Sequence, residues 1–243
     1  MSTVGVVVPA FRPDVEQTLS YLRELEAALS PAEIRLELDD PDPDVKAAFA
    51  ESSATVNAVD RRRGKGAAIA EGFDALETDV RSFFDADGAT PAASAEAVVT
   101  PVVREEVSLA VGSRRHPNSR VSGHQGVTRR VLGDAFAWSA RRLLPAQLYD
   151  YQCGAKAISA DTWRDVRNHL TEPGFGWDIE LIATAAALGY RIREVPIEWE
   201  DKPGSTVSPA GDGIRMAVTL LSASFSARNV RRELERDGEG MET

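Results

Sequence analysis

The chain is 243 residues long, enough for a full hydrophobic core, and with no Ser/Gly-rich linker or change of composition it is predicted to form one domain. Its 38 acidic residues outnumber its 28 basic ones, and the resulting net charge of −10 argues against nucleic acid as a partner. Cys153 is the single cysteine, so an internal disulfide is excluded.

Two further features of the composition bear on the environment of the protein. The excess of carboxylates comes with few lysines, a balance that suggests adaptation to high salt. No apolar run reaches the roughly 18 residues of a membrane span, so the sequence predicts a protein that does not cross a membrane by itself.

Short apolar strands alternate with amphipathic helices along the chain. The first strand is predicted at Val4 to Val8, a continuous β-branched run, and leucines at helical spacing predict a helix from Val15 to Leu29. Further strands are predicted at 34–38, 54–59, 80–84, 108–111, 150–158 and 192–199. Further helices are predicted at 67–76, 92–103, 127–144, 161–169, 179–188 and 214–225. This order indicates an α/β fold with a mostly parallel central sheet flanked by helices.

Two carboxylates, Asp85 and Asp87, directly follow the strand predicted at 80–84, and Gly88 then allows the chain to turn. Ligands of open α/β sheets bind outside the carboxyl ends of the strands, so these acids could hold one divalent cation against the phosphates of a nucleotide. The alternative is an Asp-rich turn that simply ends the strand. Only the neighbouring motifs can decide between the two.

A basic loop, Arg61 to Lys65, lies just before the helix predicted at 67–76 and contains four cations. Gly64 and Gly66 would let the backbone approach a diphosphate, and free N–H groups at the helix start would point at it. Neither the Walker pattern nor G-x-G-x-x-G occurs, which disfavours a nucleotide hydrolase or a dinucleotide enzyme. The alternative reading is a solvated basic loop.

Residues 112–142 form a basic island, with seven arginines and one acid. Arg114 at a strand end, and Arg129 or Arg130 at the start of the next helix, are predicted to contact a second anionic ligand. Arg141 and Arg142 are instead predicted to pair with acids elsewhere on the surface.

Two helices carry features that allow alternative interpretations. Asp178 and Glu180 fall in the first turn of an apolar helix, where they either complement the helix dipole or belong to an active site. The helix predicted at 214–225 has one apolar face, which usually packs on its own domain and less often lies on a bilayer. That face consists of Ile214, Ala217, Val218, Leu221 and Phe225.

Six motifs occur in order: VVVPAF at 6–11, GKG at 64–66, DADGAT at 85–90, GSR at 112–114, DYQCGAK at 150–156 and WDIEL at 177–181. Together they resemble the polyprenyl-phosphate sugar synthases, most closely the dolichyl-phosphate β-glucosyltransferases, among the family 2 inverting glycosyltransferases. The resemblance extends from residue 4 to about residue 208. It implies a single-domain A-type glycosyltransferase fold with a Rossmann-like nucleotide-binding half.

The same resemblance implies an organisation of the chain and a function. The catalytic domain would cover 1–226, with a nucleotide-sugar half at about 1–112, an acceptor half at about 113–210, an amphipathic helix at about 211–235 and a disordered tail at 236–243. The expected reaction is metal-dependent transfer of a hexose from UDP-glucose or a similar donor to polyprenyl or dolichyl phosphate. The protein would work at the cytoplasmic face of the membrane, bound peripherally.

Roles for individual residues also follow from the resemblance. Donor binding is implied for Pro9, Asp39, Asp40, Lys65, Asp85 and Asp87, the last two holding Mg²⁺ or Mn²⁺ with Asp87 as a direct ligand. Substrate binding is implied for Arg114, Arg129, Arg130, Gln152, Lys156 and Glu180. Catalytic roles are implied for Asp87, Arg114, Asp150 and Asp178.

Two departures from the family pattern leave the nucleotide base open. The usual Asp-Asp-Gly-Ser is Asp-Asp-Pro-Asp at 39–42, and the asparagine before the Gly-Lys-Gly loop is replaced within 61–63. Two alternative functions also stay open: extension of a lipid-linked glycan or polysaccharide at a hydroxyl, and a nucleotide-sugar-binding module without turnover. A hydroxyl acceptor would need a general base, for which Asp150, Asp178 and Glu180 are the candidates.

Overall fold

The computed structural model describes the backbone of residues 2–122, 127–200 and 209–240, and their side chains except those of 127–132, 209–216, 235 and 237–240. The strands are β1 (Val4–Phe11), β2 (Glu33–Asp39), β3 (Thr55–Val59), β4 (Val80–Phe84), β5 (Leu109–Ser113), β6 (Arg120–Ser122), β7 (Ala155–Ser159), β8 (Ile192–Pro196) and β9 (Glu198–Glu200). The helices are α1 (Val15–Leu29), α2 (Pro43–Phe49), α3 (Lys65–Ala75), α4 (Ala92–Val103), α5 (Val127–Leu143), α6 (Ala160–Val166), α7 (Trp177–Ala187) and α8 (Pro209–Gly240), with a 3₁₀ turn at Arg167–His169.

Seven strands form the central sheet in the order β3-β2-β1-β4-β7-β5-β8. All neighbouring pairs are parallel except β4–β7 and β5–β7, because β7 runs against both of its neighbours. The carboxyl ends of β2, β4 and β5 therefore meet the chain entering β7 at one edge of the sheet. The prediction of a mostly parallel sheet flanked by helices is confirmed.

Hydrophobic cores cover both faces of this sheet, which explains why central strands such as β1 and β5 are almost entirely apolar. Along β4, Phe83 belongs to the core that includes Phe73, Trp163 and Trp177, whereas Phe84 belongs to the opposite core with Leu22 of α1. The alternation follows from the two-residue period of a strand. It fixes which way the residues at the end of β4 point.

Several predicted elements have different limits in the structure. β1 continues beyond Val8 to Phe11, and Pro9 is tolerated because β4 pairs only with Val4 to Val7, short of the proline that has no N–H to donate. The acidic turn expected after β2 opens a helix, since Asp42 and Pro43 are typical residues for a helix start.

The later part of the chain also corrects the sequence analysis. The strand expected at 150–158 begins only at Ala155, and the strand expected at 192–199 is divided into β8 and β9, the latter pairing with β6 in a separate two-stranded sheet. α8 continues to Gly240, so residues 236–240, predicted as part of a disordered tail, are helical. None of the described helices is both long enough and apolar enough to span a bilayer.

Candidate active site

Polar residues from distant parts of the chain converge at the edge where the parallel strands end. Asp39 is the last residue of β2, Asp85 follows β4 and Arg114 follows β5. Lys65 begins α3, and residues 150–154 lead into β7 at the same edge. This is the location at which open α/β sheets bind their ligands.

Lys65 is the central cation of this edge. Its Nζ lies 2.9 Å from Asp85 Oδ1 and 3.2 Å from Asp178 Oδ2, and 5.2 Å from the centre of the Phe83 ring. Burial alone would lower the pKa of Lys65, but the two carboxylates outweigh it and raise that pKa above its usual value. Lys65 is therefore a fixed positive charge shared between two acids.

Asp178 is a buried anion between two ammonium groups. In addition to Lys65, it accepts a hydrogen bond from Lys156 at 2.5 Å, and Lys156 also donates to the carbonyl of Cys153 at 2.7 Å. Burial would raise the pKa of Asp178, but Lys156 and Lys65 outweigh it and lower that pKa. Lys156 is only 1% exposed, so the substrate contact predicted for it would require its ammonium to leave Asp178.

Asp85 and Asp87, which follow β4, both reach toward solvent. The Asp85 side chain is 42% exposed, and the backbone N–H of Asp85 donates to the carbonyl of Gly154 at 3.0 Å. A Cβ on Gly154 would lie 1.8 Å from Asp85 Oδ2, so any larger residue there would displace the Asp85 carboxylate. Asp87 is exposed and accepts the N–H of Ala89 at 3.0 Å across the turn made by Gly88.

The two acids fit the predicted metal site in their chemistry. Burial, and after it the charges of Asp85 and Asp87, raise the pKa of Tyr21 in α1. No group of three potential metal-ligating side chains of His, Cys, Asp or Glu occurs among the described residues. Mg²⁺ and Mn²⁺ commonly bind through one or two carboxylates completed by substrate phosphates, and two acids satisfy that requirement.

Asp39 binds the basic loop itself. Its carboxylate is buried and accepts the N–H of Arg63 at 2.7 Å, the N–H of Gly64 at 3.0 Å and Arg63 Nε at 2.7 Å. Arg63 also pairs with Glu37 and Glu71, at 2.9 and 2.8 Å. Asp40, by contrast, is exposed, and its backbone is left-handed with φ of 47°. Of the two acids predicted to hold the nucleoside, Asp40 is thus the accessible one.

Internal bonds occupy much of the predicted anion cradle. The N–H groups of Arg63 and Gly64 donate to Asp39, and that of Ala67 donates to the carbonyl of Pro173 at 3.0 Å. These groups are not available to a diphosphate while those bonds stand. Arg61 and Arg62 remain exposed, and Arg62 lies 4.2 Å above the Phe11 ring.

Arg114 and Asp150 form a second, bidentate ion pair at this edge. Arg114 donates from Nε at 2.7 Å and Nη2 at 3.0 Å, and its N–H donates to the same carboxylate at 3.2 Å. The N–H of Gln152 adds a fourth hydrogen bond at 3.0 Å. Burial would raise the pKa of Asp150, but Arg114 outweighs it and holds that pKa well below its usual range.

Glu194 supports the backbone next to the Arg114–Asp150 pair, a role that the sequence analysis missed. Its carboxylate accepts the N–H of Tyr149 at 2.9 Å and that of Asp150 at 2.8 Å, so it anchors the backbone that carries the Arg114 partner. Glu194 is one acid in an alternating strand 44 residues from Asp150, and nothing in the sequence distinguishes it.

The remaining arginines of the basic island have varied surroundings. Arg129 and Arg130 lie in α5, but their side chains fall outside the described residues, so their predicted anion contact stays a prediction. Arg141 donates to the carbonyl of Leu148, and Arg142 lies 4.5 Å from the centre of the Trp138 ring. Among the described residues these two arginines contact a carbonyl and aromatic groups, so their predicted pairing with acids stays a prediction.

Glu180 is buried and has a third role besides the two that the sequence left open. Its oxygens accept the N–H and hydroxyl of Thr171, both at 2.9 Å, and the N–H of Glu172 at 2.8 Å. These contacts tie down a loop and leave the predicted substrate contact of Glu180 untested.

The apolar face of α8 is exposed. Val218, Leu221 and Phe225 are 62%, 61% and 65% exposed, whereas Leu220 on the adjoining face is buried against the domain. Ala217 is also exposed, and the side chain of Ile214 lies outside the described residues. Of the two alternatives for this face, packing on its own domain is therefore wrong for its described members.

Comparison with known proteins identifies a sequence family. Residues 13–155 match the family described as "Glycosyl transferase family 2". Glycosyltransferase AglD of Haloferax volcanii is 29% identical over 228 residues, which cover 90% of this chain and 36% of AglD. Dolichyl-phosphate beta-glucosyltransferase of Saccharomyces cerevisiae is 27% identical over 175 residues, covering 66% of this chain and 52% of the yeast protein. Undecaprenyl-phosphate mannosyltransferase of Micrococcus luteus is 28% identical over 229 residues, covering 90% of this chain and 92% of that protein.

Solved structures show the same fold. Glucosyl-3-phosphoglycerate synthase from Mycobacterium tuberculosis, in complex with Mn²⁺, UDP and glucosyl-3-phosphoglycerate, superposes with a TM-score of 0.72 at 20% identity. The match covers 92% of this chain and 80% of that one. Mannosyl-3-phosphoglycerate synthase from Rubrobacter xylanophilus superposes with a TM-score of 0.67 at 17% identity, covering 98% and 75% of the two chains. The predicted A-type fold is confirmed.

Proposed function

Because the chain belongs to glycosyl transferase family 2, we propose that it transfers a hexose, with inversion, from a nucleotide-diphosphate sugar to a polyprenyl phosphate. The yeast relative is named a dolichyl-phosphate glucosyltransferase and the Micrococcus relative an undecaprenyl-phosphate mannosyltransferase, and both names support this substrate class. The neighbour that binds UDP and Mn²⁺ supports a UDP-sugar donor.

The donor would lie against Asp85, Asp87 and Lys65. Asp85 and Asp87 would hold Mg²⁺ or Mn²⁺, which neutralises the charge of a leaving diphosphate when bound. Lys65 supplies a permanent positive charge beside Asp85, at 2.9 Å, and can stabilise the same leaving group. Asp40, exposed at the end of β2, is the acid best placed to contact the nucleoside.

The observation that carries the choice of acceptor is the state of the three candidate bases. Arg114 lowers the pKa of Asp150, and the two lysines lower that of Asp178, which makes both carboxylates weak proton acceptors. Glu180 is occupied by three donors of its own loop. A phosphate monoester, with a second pKa near ~6, is largely dianionic at neutral pH and needs no base. The acceptor oxygen can therefore attack the anomeric carbon without giving up a proton to the protein.

Arg114 is the proposed handle for the acceptor phosphate. Asp150 fixes its guanidinium through two parallel hydrogen bonds, and about a quarter of the side chain stays exposed, next to Trp199. An arginine oriented in this way still has donors for a phosphate. Arg129 or Arg130 would add a second cation.

The exposed face of α8 is the proposed contact with the membrane. Val218, Leu221 and Phe225 are spaced by three and four residues, and exposed Arg228 and Arg232 continue the same row. Apolar side chains followed by arginines suit the boundary between acyl chains and anionic headgroups. Binding there, at the cytoplasmic face, would bring the site to a lipid acceptor.

An acceptor panel tests the proposed function. Purified protein with Mg²⁺ or Mn²⁺ is incubated with labelled UDP- and GDP-hexoses and, in parallel, polyprenyl phosphate, polyprenol and a lipid-linked sugar. Label should enter the lipid phase only with polyprenyl phosphate. Transfer to polyprenol or to the lipid-linked sugar at a comparable rate would reject the proposal in favour of glycan extension, and binding without transfer would leave a binding module.

A further inference from the structure

The first turn of α7 carries two acids that contact different parts of the donor side. Asp178 accepts a hydrogen bond from the Lys65 ammonium at 3.2 Å. Glu180, two residues later, accepts three hydrogen bonds from Thr171 and Glu172 and none from the basic loop. Both acids are buried. Burial of a carboxylate costs free energy unless the group is paired or hydrogen-bonded, so the buried position of Glu180 depends on these three hydrogen bonds.

The 171–174 segment, which Glu180 holds, lies directly on the start of α3. The carbonyl of Pro173 accepts the N–H of Ala67 at 3.0 Å, and a Cβ on Gly64 would lie 2.6 Å from that same oxygen. A Cβ on Gly66 would lie 2.8 Å from the carbonyl of Glu172. Backbone therefore touches backbone on both sides of Lys65.

From these contacts we infer that Glu180 is a positioning residue of the donor site. It fixes the 171–174 segment, the segment fixes the backbone of residues 64–67, and that backbone sets where the Lys65 ammonium stands beside Asp85. The inference rests on the proposed function in one respect, namely that Lys65 contacts the donor diphosphate. It replaces the substrate contact predicted for Glu180 by an action through the loop.

Amide hydrogen exchange of the whole chain without ligand tests the contact itself. Glu180→Gln keeps the shape of the side chain but removes its charge, which weakens the hydrogen bonds that it accepts from the N–H groups of Thr171 and Glu172. Exchange at residues 64–67, Ala67 above all, should become about tenfold faster, because its partner Pro173 is no longer held. Exchange at 148–154, on the acceptor side, should stay as in the wild type. Faster exchange confined to 171–172, with 64–67 unchanged, would overturn the inference.

Steady-state kinetics test the consequence for the donor. Glu180→Gln should raise the KM for nucleotide sugar about tenfold and change the KM for polyprenyl phosphate by less than twofold, because small displacements of a positioned group are costly. Glu194→Gln, which loosens the backbone at Tyr149 and Asp150, should show the reverse pattern. Exposed Glu96→Gln serves as the matched control and should change neither constant.

The outcomes separate positioning from general support of the fold. If both KM values rise together in Glu180→Gln as the melting temperature falls, Glu180 merely supports the fold and the inference fails. Thr171→Val, which removes only the 2.9 Å hydroxyl bond, gives a milder variant with the same expected pattern should Glu180→Gln fail to fold. If the wild type transfers no sugar to polyprenyl phosphate, the proposed function fails, and the exchange experiment still decides whether Glu180 positions the loop.

Discussion

Lys65 and Arg114 are the two principal cations of the site, and their partners differ. Lys65 is shared between buried Asp178 and the 42% exposed Asp85, whereas Arg114 is held by the single buried carboxylate of Asp150 in a bidentate pair. The exposed partner of Lys65 is itself a proposed metal ligand, so the surroundings of Lys65 must change when the donor binds. The surroundings of Arg114 need not change.

This difference suggests a division of labour between the two sides. Under the proposed function, the donor side would exchange ion pairs, which suits a leaving diphosphate whose charge grows during the reaction. The acceptor side would keep the bidentate Arg114–Asp150 pair, which suits a phosphate that must be oriented but already carries its nucleophilic charge. Variants on the two sides should therefore fail in different kinetic constants.

The largest effect is expected at the donor side. Asp87→Asn should keep the fold, because Asp87 is exposed, and should lower kcat/KM roughly a thousandfold, because several kcal/mol of charge stabilisation by the cation are lost. A chelator should silence the wild type, and Glu96→Gln, at an exposed acid of α4, should behave as wild type. Full wild-type activity in excess chelator would contradict a metal-dependent donor side.

A selective effect is expected on the acceptor side. Arg114→Lys keeps a cation beside Asp150 but loses the fork, and should raise the KM for polyprenyl phosphate roughly ten- to a hundredfold, equivalent to about 1.5–3 kcal/mol. The KM for the nucleotide sugar should change little. Arg114→Ala is less informative because it leaves Asp150 buried without its cation and destabilises the protein. Equal changes in both constants for Arg114→Lys would remove the distinction between the two sides.

A membrane effect is expected from α8 without a change in stability. Leu221→Ser with Phe225→Ser should lower partition onto anionic vesicles about tenfold or more, since each apolar side chain contributes about 1.5–3 kcal/mol when buried. The melting temperature should stay nearly unchanged, because both residues are more than 60% exposed. Leu220→Ser is the matched control: it is 3% exposed, so the melting temperature should fall instead. Unchanged vesicle binding in the double variant would show that this face of α8 does not contact the membrane.

The sequence predicts the strands and loops that carry the site better than it predicts the ion pairs and hydrogen bonds within the site. β4 and the acids after it are predictable because an apolar run followed by two carboxylates and glycine has a local signature. The partners of Arg63 are not predictable in this way, because Glu37 and Asp39 come from β2, at least 24 residues away. Glu194 likewise acts on backbone 44 residues away. Such contacts depend on strand order, which spacing alone does not specify.

The smallest expected effect concerns pH and tests whether a protein base takes part. Arg114 lowers the pKa of Asp150 and the two lysines lower that of Asp178, so neither carboxylate should limit the rate between about pH 5 and 8. The acceptor phosphate takes up a proton near pH ~6, which removes charge from the nucleophile and from the ligand of Arg114. Measured as kcat/KM for the acceptor, the rate should fall to about half near that pH and tenfold per unit below it. An acceptor analogue with a different second pKa should move this limb, and Asp178→Asn should not. If the acidic limb of the pH profile instead moves in Asp150→Asn or Asp178→Asn, that carboxylate is a general base, and a hydroxyl acceptor is favoured over a phosphate.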